Sequence, residues 1–215
     1  MEKFHVKVMT ADEQARMTPG MVIETLKRGN RAFVDNRFIV QNNIERVQEA
    51  AKGQFPLAVI LSCIDSRVPV ADVFQCGIGD IFVVRVAGNI VNPDILGSLE
   101  IACKLSGAKL VMVLGHGCCS AVKMAIDGVA MGNITGLLDR IKPAVDRSTV
   151  GYTGETASSN PDFVERVCHA NIKRMVNEIR KDSPLLKTME DNGQIKVIGA
   201  YYNIYNGEVD FFENL

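Results

Sequence analysis

Two short stretches hold the residues best able to do chemistry together. In one, Cys63-Ile64-Asp65-Ser66-Arg67 follows directly on an apolar run at 56–61; in the other, His116 and Cys119 stand three apart behind an apolar run at 109–114. An extended backbone through the first stretch would set a thiol, a carboxylate and a guanidinium on one side of a strand's end, because side chains two apart share a face. At a strand-to-helix turn, the His-x-x-Cys spacing lets one turn present an imidazole and a thiol to a common point. With Cys63 as third ligand, two thiolates and one imidazole suit zinc best. Three protein ligands also leave the fourth tetrahedral position for water, as in catalytic rather than structural sites. The partial positive charge at a helix start helps keep Cys119 as thiolate. Any one pair of these residues reads equally well as packed core; the full set is what points to a metal.

The elements that must position these residues follow from periodicity. Residues 56–61 are short and rich in branched side chains, and read as a buried parallel strand. Further strands are predicted at 81–86, 109–114 and 194–202, and Asn206-Gly207 predicts a hairpin into 208–212. Thr18-Pro19-Gly20 starts a helix whose apolar face is Met21, Leu26, Phe33 and Val34. Other helices are predicted at 39–51, 94–104, from near Cys119, at 133–145 with Pro143 inside, at 162–182 and at 185–191, with a surface loop at 149–161. The alternation gives an α/β fold: a mainly parallel sheet, order about 2-1-3-4 plus an antiparallel edge strand, flanked by helices. Residues 1–51 are expected to form an N-terminal helical arm, packed on the body or on another subunit, and 52–215 the zinc-binding body. In such sheets ligands gather beyond the carboxyl ends of the strands, where the winding reverses. If the first and third strands are neighbours there, Cys63 and His116 meet although 53 positions separate them.

At 215 residues and 47% hydrophobic, the chain can bury a sizeable core, and one domain is expected. A net charge of -1 with dispersed lysines and arginines offers no field for phosphate backbones or anionic lipid, so neither nucleic acid nor membrane is expected as a partner. The first residues are charged where a signal peptide needs an apolar stretch, and no run reaches membrane-spanning length. A cytoplasmic protein is expected, or an organellar one if a transit segment has been removed. Six irregularly spaced cysteines read as reduced thiols rather than a disulfide framework.

CxDSR ending one strand, HxxC ending the next but one, and Gly-Asp-Ile-Phe-Val-Val-Arg-Val-Ala-Gly-Asn between them resemble the β-class carbonic anhydrases over roughly Gln54 to Val122. The stretch Asn30-Arg31-Ala32-Phe33-Val34 is similar to that family's N-terminal helix. The resemblance implies one zinc ion on Cys63, His116 and Cys119, with Asp65 and Arg67 as the catalytic pair. It implies reversible hydration of carbon dioxide to bicarbonate and a proton by zinc-bound hydroxide, in a homodimer or homotetramer. Asp65, held ionised by Arg67, would orient the hydroxide. Members whose aspartate closes the zinc site tend to carry Trp where this chain has Ile60. Gln54 instead matches a glutamine with which plant-type members bind substrate, so an open site is expected. Phe82 aligns with an aromatic lining the substrate pocket, with Ala87 near it; ordinary core is the other reading of both, and for Phe82 the two readings weigh equally.

Departures from the family pattern are Ser120, where glycine is usual and whose side chain could crowd the substrate, and Ala71 with Asp72, where glutamate is frequent. Cys118 adjoins the ligand and is a possible oxidation site. His5 and His169 receive no role, and Cys76, Cys103 and Cys168 are expected to behave as small apolar residues. Asp80 and Arg85 flank a strand and are expected to stabilise the motif loop or a subunit contact. Two rivals stand beside hydration: hydrolysis of carbonyl sulfide or carbon disulfide on the same site, and a non-catalytic zinc or thiol sensor.

Overall fold

Residues 8–37 and 43–215 are described by the computed structural model. Four strands run parallel: β1 (Ala58–Ser62), β2 (Ile81–Arg85), β3 (Leu110–His116) and β4 (Lys196–Tyr202). The antiparallel β5 (Val209–Phe212) closes one edge, giving the order β2-β1-β3-β4-β5. The expected fold class and strand order are found. Around the sheet lie α1 (Ala11–Arg16), α2 (Pro19–Val34), α3 (Asn43–Ala50), α4 (Val70–Val73), α5 (Pro93–Glu100), α6 (Ser120–Ile126), α7 (Gly132–Leu138), α8 (Lys142–Thr149), α9 (Pro161–Asp182) and α10 (Pro184–Asp191).

Both β1 and β3 are buried along their whole length, as strands covered on both faces must be. Their alternate residues feed two cores. Val59, Leu61, Val111 and Val113 join the core that takes in Val164, Val167 and Ile172 of α9. Ala58, Ile60, Leu110 and Met112 join Val22, Ile23 and Leu26 of α2. Truncating Leu26, fully buried there, is expected to cost about 2–5 kcal/mol.

The first long helix is therefore a layer of its own chain's body. Thr18 caps α2 by accepting the Met21 N–H, with Pro19 in the first turn. A Cβ on Gly29 would lie 1.9 Å from the Phe74 carbonyl oxygen, so only glycine lets α2 approach this closely. Asn30 donates to the carbonyls of Val73 and Gly207 and accepts the Val209 N–H, stitching α2 to the hairpin before β5. The apolar face differs from the expected one: Met21 and Val34 are exposed. Of the second predicted helix, 43–50 is observed as α3, and 39–42 lie outside the described residues, as does His5.

Two further expectations are corrected. The helix predicted at 94–104 is α-helical only through Glu100 and widens into a π turn at Ile101–Leu105. The helix predicted at 133–145 is two: α7 ends at Leu138, and Pro143 sits in the first turn of α8, where its missing N–H leaves no helical bond unmade.

Candidate metal centre

The chain leaves β1 toward the edge strand β2, then crosses back through α5 to β3 on the other side of β1. The two connections diverge beyond the carboxyl ends of β1 and β3, opening the crevice where ligands bind in sheets of this kind. Ser62 pairs with Leu114, so Cys63 emerges one residue past that pair and His116 two. The ligand atoms of Cys63, His116 and Cys119 lie within 4.8 Å of one another, all three residues buried. The two sulfurs are 4.0 Å apart.

Each ligand is aimed by its neighbours. The Cys63 sulfur accepts the Gly88 N–H at 3.3 Å. Gly88 has φ +68°, and a Cβ there would lie 2.5 Å from Ile141, so the donor is placed by a residue that only glycine can be. Nδ1 of His116 lies 2.8 Å from the Gly117 carbonyl oxygen; that acceptor assigns the proton to Nδ1 and leaves Nε2 as a bare lone pair. Nε2 is buried with no hydrogen-bond partner. Cys119 sits at the amino end of α6, where the Val122 N–H points to its sulfur.

The thiols also conflict electrostatically. Hydrogen bonding from Cys119, then from His116 and Gly88, draws the Cys63 thiol down, while the Cys63 sulfur and burial push Cys119 up. A divalent cation lets both ionise together. A soft donor set of two sulfurs and one nitrogen, with the orphaned Nε2 aimed at it, fits zinc.

The aspartate and arginine of the motif are arranged otherwise than expected. β1 ends at Ser62 and the chain turns at Ser66 and Arg67, so Cys63, Asp65 and Arg67 do not line one face of a continued strand. The cause is local: Asp65 Oδ1 accepts the Arg67 main-chain N–H at 3.0 Å, and the Asp65 carbonyl accepts the Val68 N–H, closing an Asx turn. Arg67 folds back, its Nε on Oδ1 at 3.0 Å and its Nη2 on Oδ2 at 2.8 Å. This guanidinium holds the Asp65 carboxyl down to about 2.

Arg85 donates to the carbonyls of Cys63 at 2.8 Å and Asp65 at 2.6 Å, stabilising the motif loop as one of the two expected roles. Asp80 accepts from Arg46 and from the Gly77 N–H, holding the loop before β2. The other sequence candidates are scattered. Ala87 adjoins Gly88 and packs on the first core, and Ser120 begins α6, exposed beside Cys119. Phe82 pairs with Val59, toward the amino end of the sheet. Gln54 is exposed before β1, at the end opposite Cys63. Cys103 and Cys168 are buried, and burial pushes both thiols up to about 12.

Residues 58–209 match the family model described as carbonic anhydrase. The chain is 30% identical over 190 residues to carbonic anhydrase 2 of Mycobacterium tuberculosis, across 86% of this chain and 88% of that one. The β-carbonic anhydrase of Coccomyxa, solved in complex with acetazolamide, matches with a TM-score of 0.70 at 24% identity, over 86% of this chain and 83% of that chain. A structure from a study of two tetrameric β-carbonic anhydrases of Sordaria macrospora matches with a TM-score of 0.70 at 23% identity, over 79% and 86%. These likenesses show a shared fold. Sequence match, relative and architecture agree, and the chain belongs to the β-class carbonic anhydrase family.

Proposed function

We infer that this chain catalyses the reversible hydration of carbon dioxide to bicarbonate and a proton, with zinc held by Cys63, His116 and Cys119. The observation that carries this reading is the convergence of those three ligand atoms within 4.8 Å, with Nε2 of His116 buried and unpartnered. When bound, the zinc supplies a nucleophile from water at neutral pH.

The chain's own residues do the rest. Cys63 and Cys119 carry the charge that holds the cation, and the Gly117 carbonyl keeps His116 in the tautomer that offers Nε2. Asp65, ionised through Arg67, accepts the nucleophile's proton-bearing side as a hydrogen bond and leaves a lone pair toward the carbon of the substrate. Because Arg67 engages both Asp65 carboxylate oxygens, Asp65 serves as an orienter rather than a fourth ligand, which supports an open site. Ala87 offers apolar wall to a substrate without a permanent dipole.

Gln54 and Phe82 belong to the substrate pocket only across a subunit contact. The five residues of β1 span roughly 16 Å and separate Gln54 from the chain's own Cys63. This supports a homodimer or homotetramer in which one copy completes the site of another, in keeping with the tetrameric Sordaria macrospora enzymes. Zinc stoichiometry by elemental analysis, together with stopped-flow hydration of carbon dioxide, tests the reading. One zinc per chain with hydration is expected, and purified protein with bound zinc but no hydration would overturn it.

A further inference from the structure

The buried positions of α9 recur at helical spacing from Phe163 to Ile179, and all are apolar or sulfur-bearing except Asn171. That amide is 1% exposed, and taking an amide out of water is unfavourable unless it is hydrogen-bonded. Its Nδ2 donates to the Gly88 carbonyl at 2.9 Å. Its Oδ1 is buried with no hydrogen-bond partner among the described residues. The Gly88 oxygen can only accept, so this one contact decides which way the amide faces.

Gly88 is the residue whose N–H reaches the Cys63 sulfur, at 3.3 Å. It stands at φ +68° and Asn89 after it at φ +44°. Two left-handed residues in succession form a strained turn, which persists only where the surroundings hold it. The neighbours of Asn171 on the same stripe also meet backbone of the site. One turn before it, the Cys119 N–H points to the Cys168 sulfur; one turn after it, the Val91 N–H donates to Met175 Sδ at 3.2 Å.

We propose that Asn171 is a positioning residue for the metal centre: by gripping the Gly88 carbonyl it keeps the Gly88 N–H on the Cys63 sulfur, and so sets the donor strength of that thiolate. Without the grip the turn at 87–89 relaxes about Gly88 and the N–H leaves the sulfur. A thiolate stripped of its hydrogen bond competes less well against protons for a metal and holds its electrons less tightly. The inference rests on the assignment of Cys63 as a metal ligand and is independent of hydration.

Cobalt(II) in place of zinc makes the effect visible, because sulfur-to-cobalt charge transfer moves to lower energy when the sulfur loses a hydrogen bond. In cobalt-loaded Asn171→Leu the charge-transfer band is expected at longer wavelength than in the unaltered chain. Zinc affinity, by competition with a chromogenic chelator, should fall about tenfold. Val176→Ala opens a cavity on the same buried face of α9, and should lower the urea midpoint without moving band or affinity. Should Asn171→Leu fail to fold, Asn171→Ser, whose side chain is too short to reach the carbonyl, takes its place with the same expectation. A band and an affinity equal to those of the unaltered chain, or the same shift in Val176→Ala, overturns the proposal. An unaltered chain with no sulfur-to-cobalt band overturns the ligand assignment along with it. A band that shifts in protein without hydration keeps the role of Asn171 and removes only the catalytic reading.

Discussion

Leaving β1, the backbone from Cys63 to Arg67 is held by charge: Arg85 binds the carbonyls of Cys63 and Asp65, and Arg67 closes on the Asp65 carboxylate. Leaving β3, the backbone from Gly115 to Cys119 is held by close packing. A Cβ on Gly115 would stand 2.6 Å from Ile172, and one on Gly117 3.0 Å from the Tyr201 hydroxyl. The first segment carries a polar group, Asp65, two residues from the candidate ligand Cys63 and is fixed by arginine partners. The second only has to point an imidazole and a thiol, and small residues pressed on α9 and β4 do that without any charge. One centre therefore has a side that tunes chemistry and a side that sets position, and the two should fail differently when altered.

The largest effect comes from breaking both at once. Cys63→Ser removes the thiolate on which the segments converge, so zinc affinity should fall by more than the roughly 10–100-fold typical of lost outer partners, and hydration with it. Elemental analysis after dialysis checks this; a serine variant that keeps stoichiometric zinc would sink the ligand assignment. Next comes the polar side alone. Asp65→Asn should retain zinc while kcat/KM for hydration drops about 100-fold, since orientation is lost without the metal. Stopped-flow rates on zinc-assayed protein read this out, and unchanged hydration would remove Asp65 from the mechanism.

The packed side should respond in stability. Gly115→Ala drives a methyl into Ile172, fully buried on α9, and overpacking of this kind costs about 1–3 kcal/mol. Urea unfolding measures it, and pairing the change with Ile172→Val should recover part of the loss. If Gly115→Ala instead lowered hydration per bound zinc as much as Asp65→Asn, the division between the two segments would be wrong.

That division was only partly legible in the amino-acid order. The thiol, imidazole and thiol could be picked out because their spacing sits at the ends of apolar runs, and alternation of strands and helices brings the first and third strands together. The turn at Ser66 and Arg67 was not, because an Asp side chain capturing a main-chain N–H two residues on competes with extended backbone, and the sequence pattern is compatible with both. The target of Arg85 was hidden too: its partners are carbonyls, which carry no residue signature, 20 and 22 positions away. Met21 and Val34 fall off a face of α2 that the sequence does spell out, since the buried Val22, Ile23, Leu26, Gly29 and Asn30 recur at helical spacing. What periodicity hides is that small Gly29 and polar Asn30 belong to that face.

A smaller effect isolates the scaffold of the polar segment. Arg85→Gln leaves every ligand and Asp65 in the chain but removes the donors to two carbonyls, and a loss of about tenfold in zinc affinity is expected, as for other outer partners of a metal site. Competition with a chromogenic chelator measures this independently of turnover. An affinity equal to that of the unaltered chain would mean that the Asx turn alone fixes the segment.

The smallest expected effect is in the pH dependence of stability. The Asp65 carboxyl, lowered to about 2 by the Arg67 guanidinium, sits near 3.9 in the unfolded chain. Between those values the unfolded state binds more protons, so the pair's contribution is fully present above about 4 and lost as pH falls toward 2. Comparing unfolding midpoints of the unaltered chain and Arg67→Gln cancels the acid loss of metal common to both. The gap between them should be modest at neutral pH, since Arg67 is largely exposed, and should shrink as the pH falls from about 4 to about 2. A gap that persists at the acid end would show Arg67 acting through its 3.5 Å contact with the Cys118 carbonyl, making it a tie between the charged segment and the packed one rather than a partner of Asp65 alone.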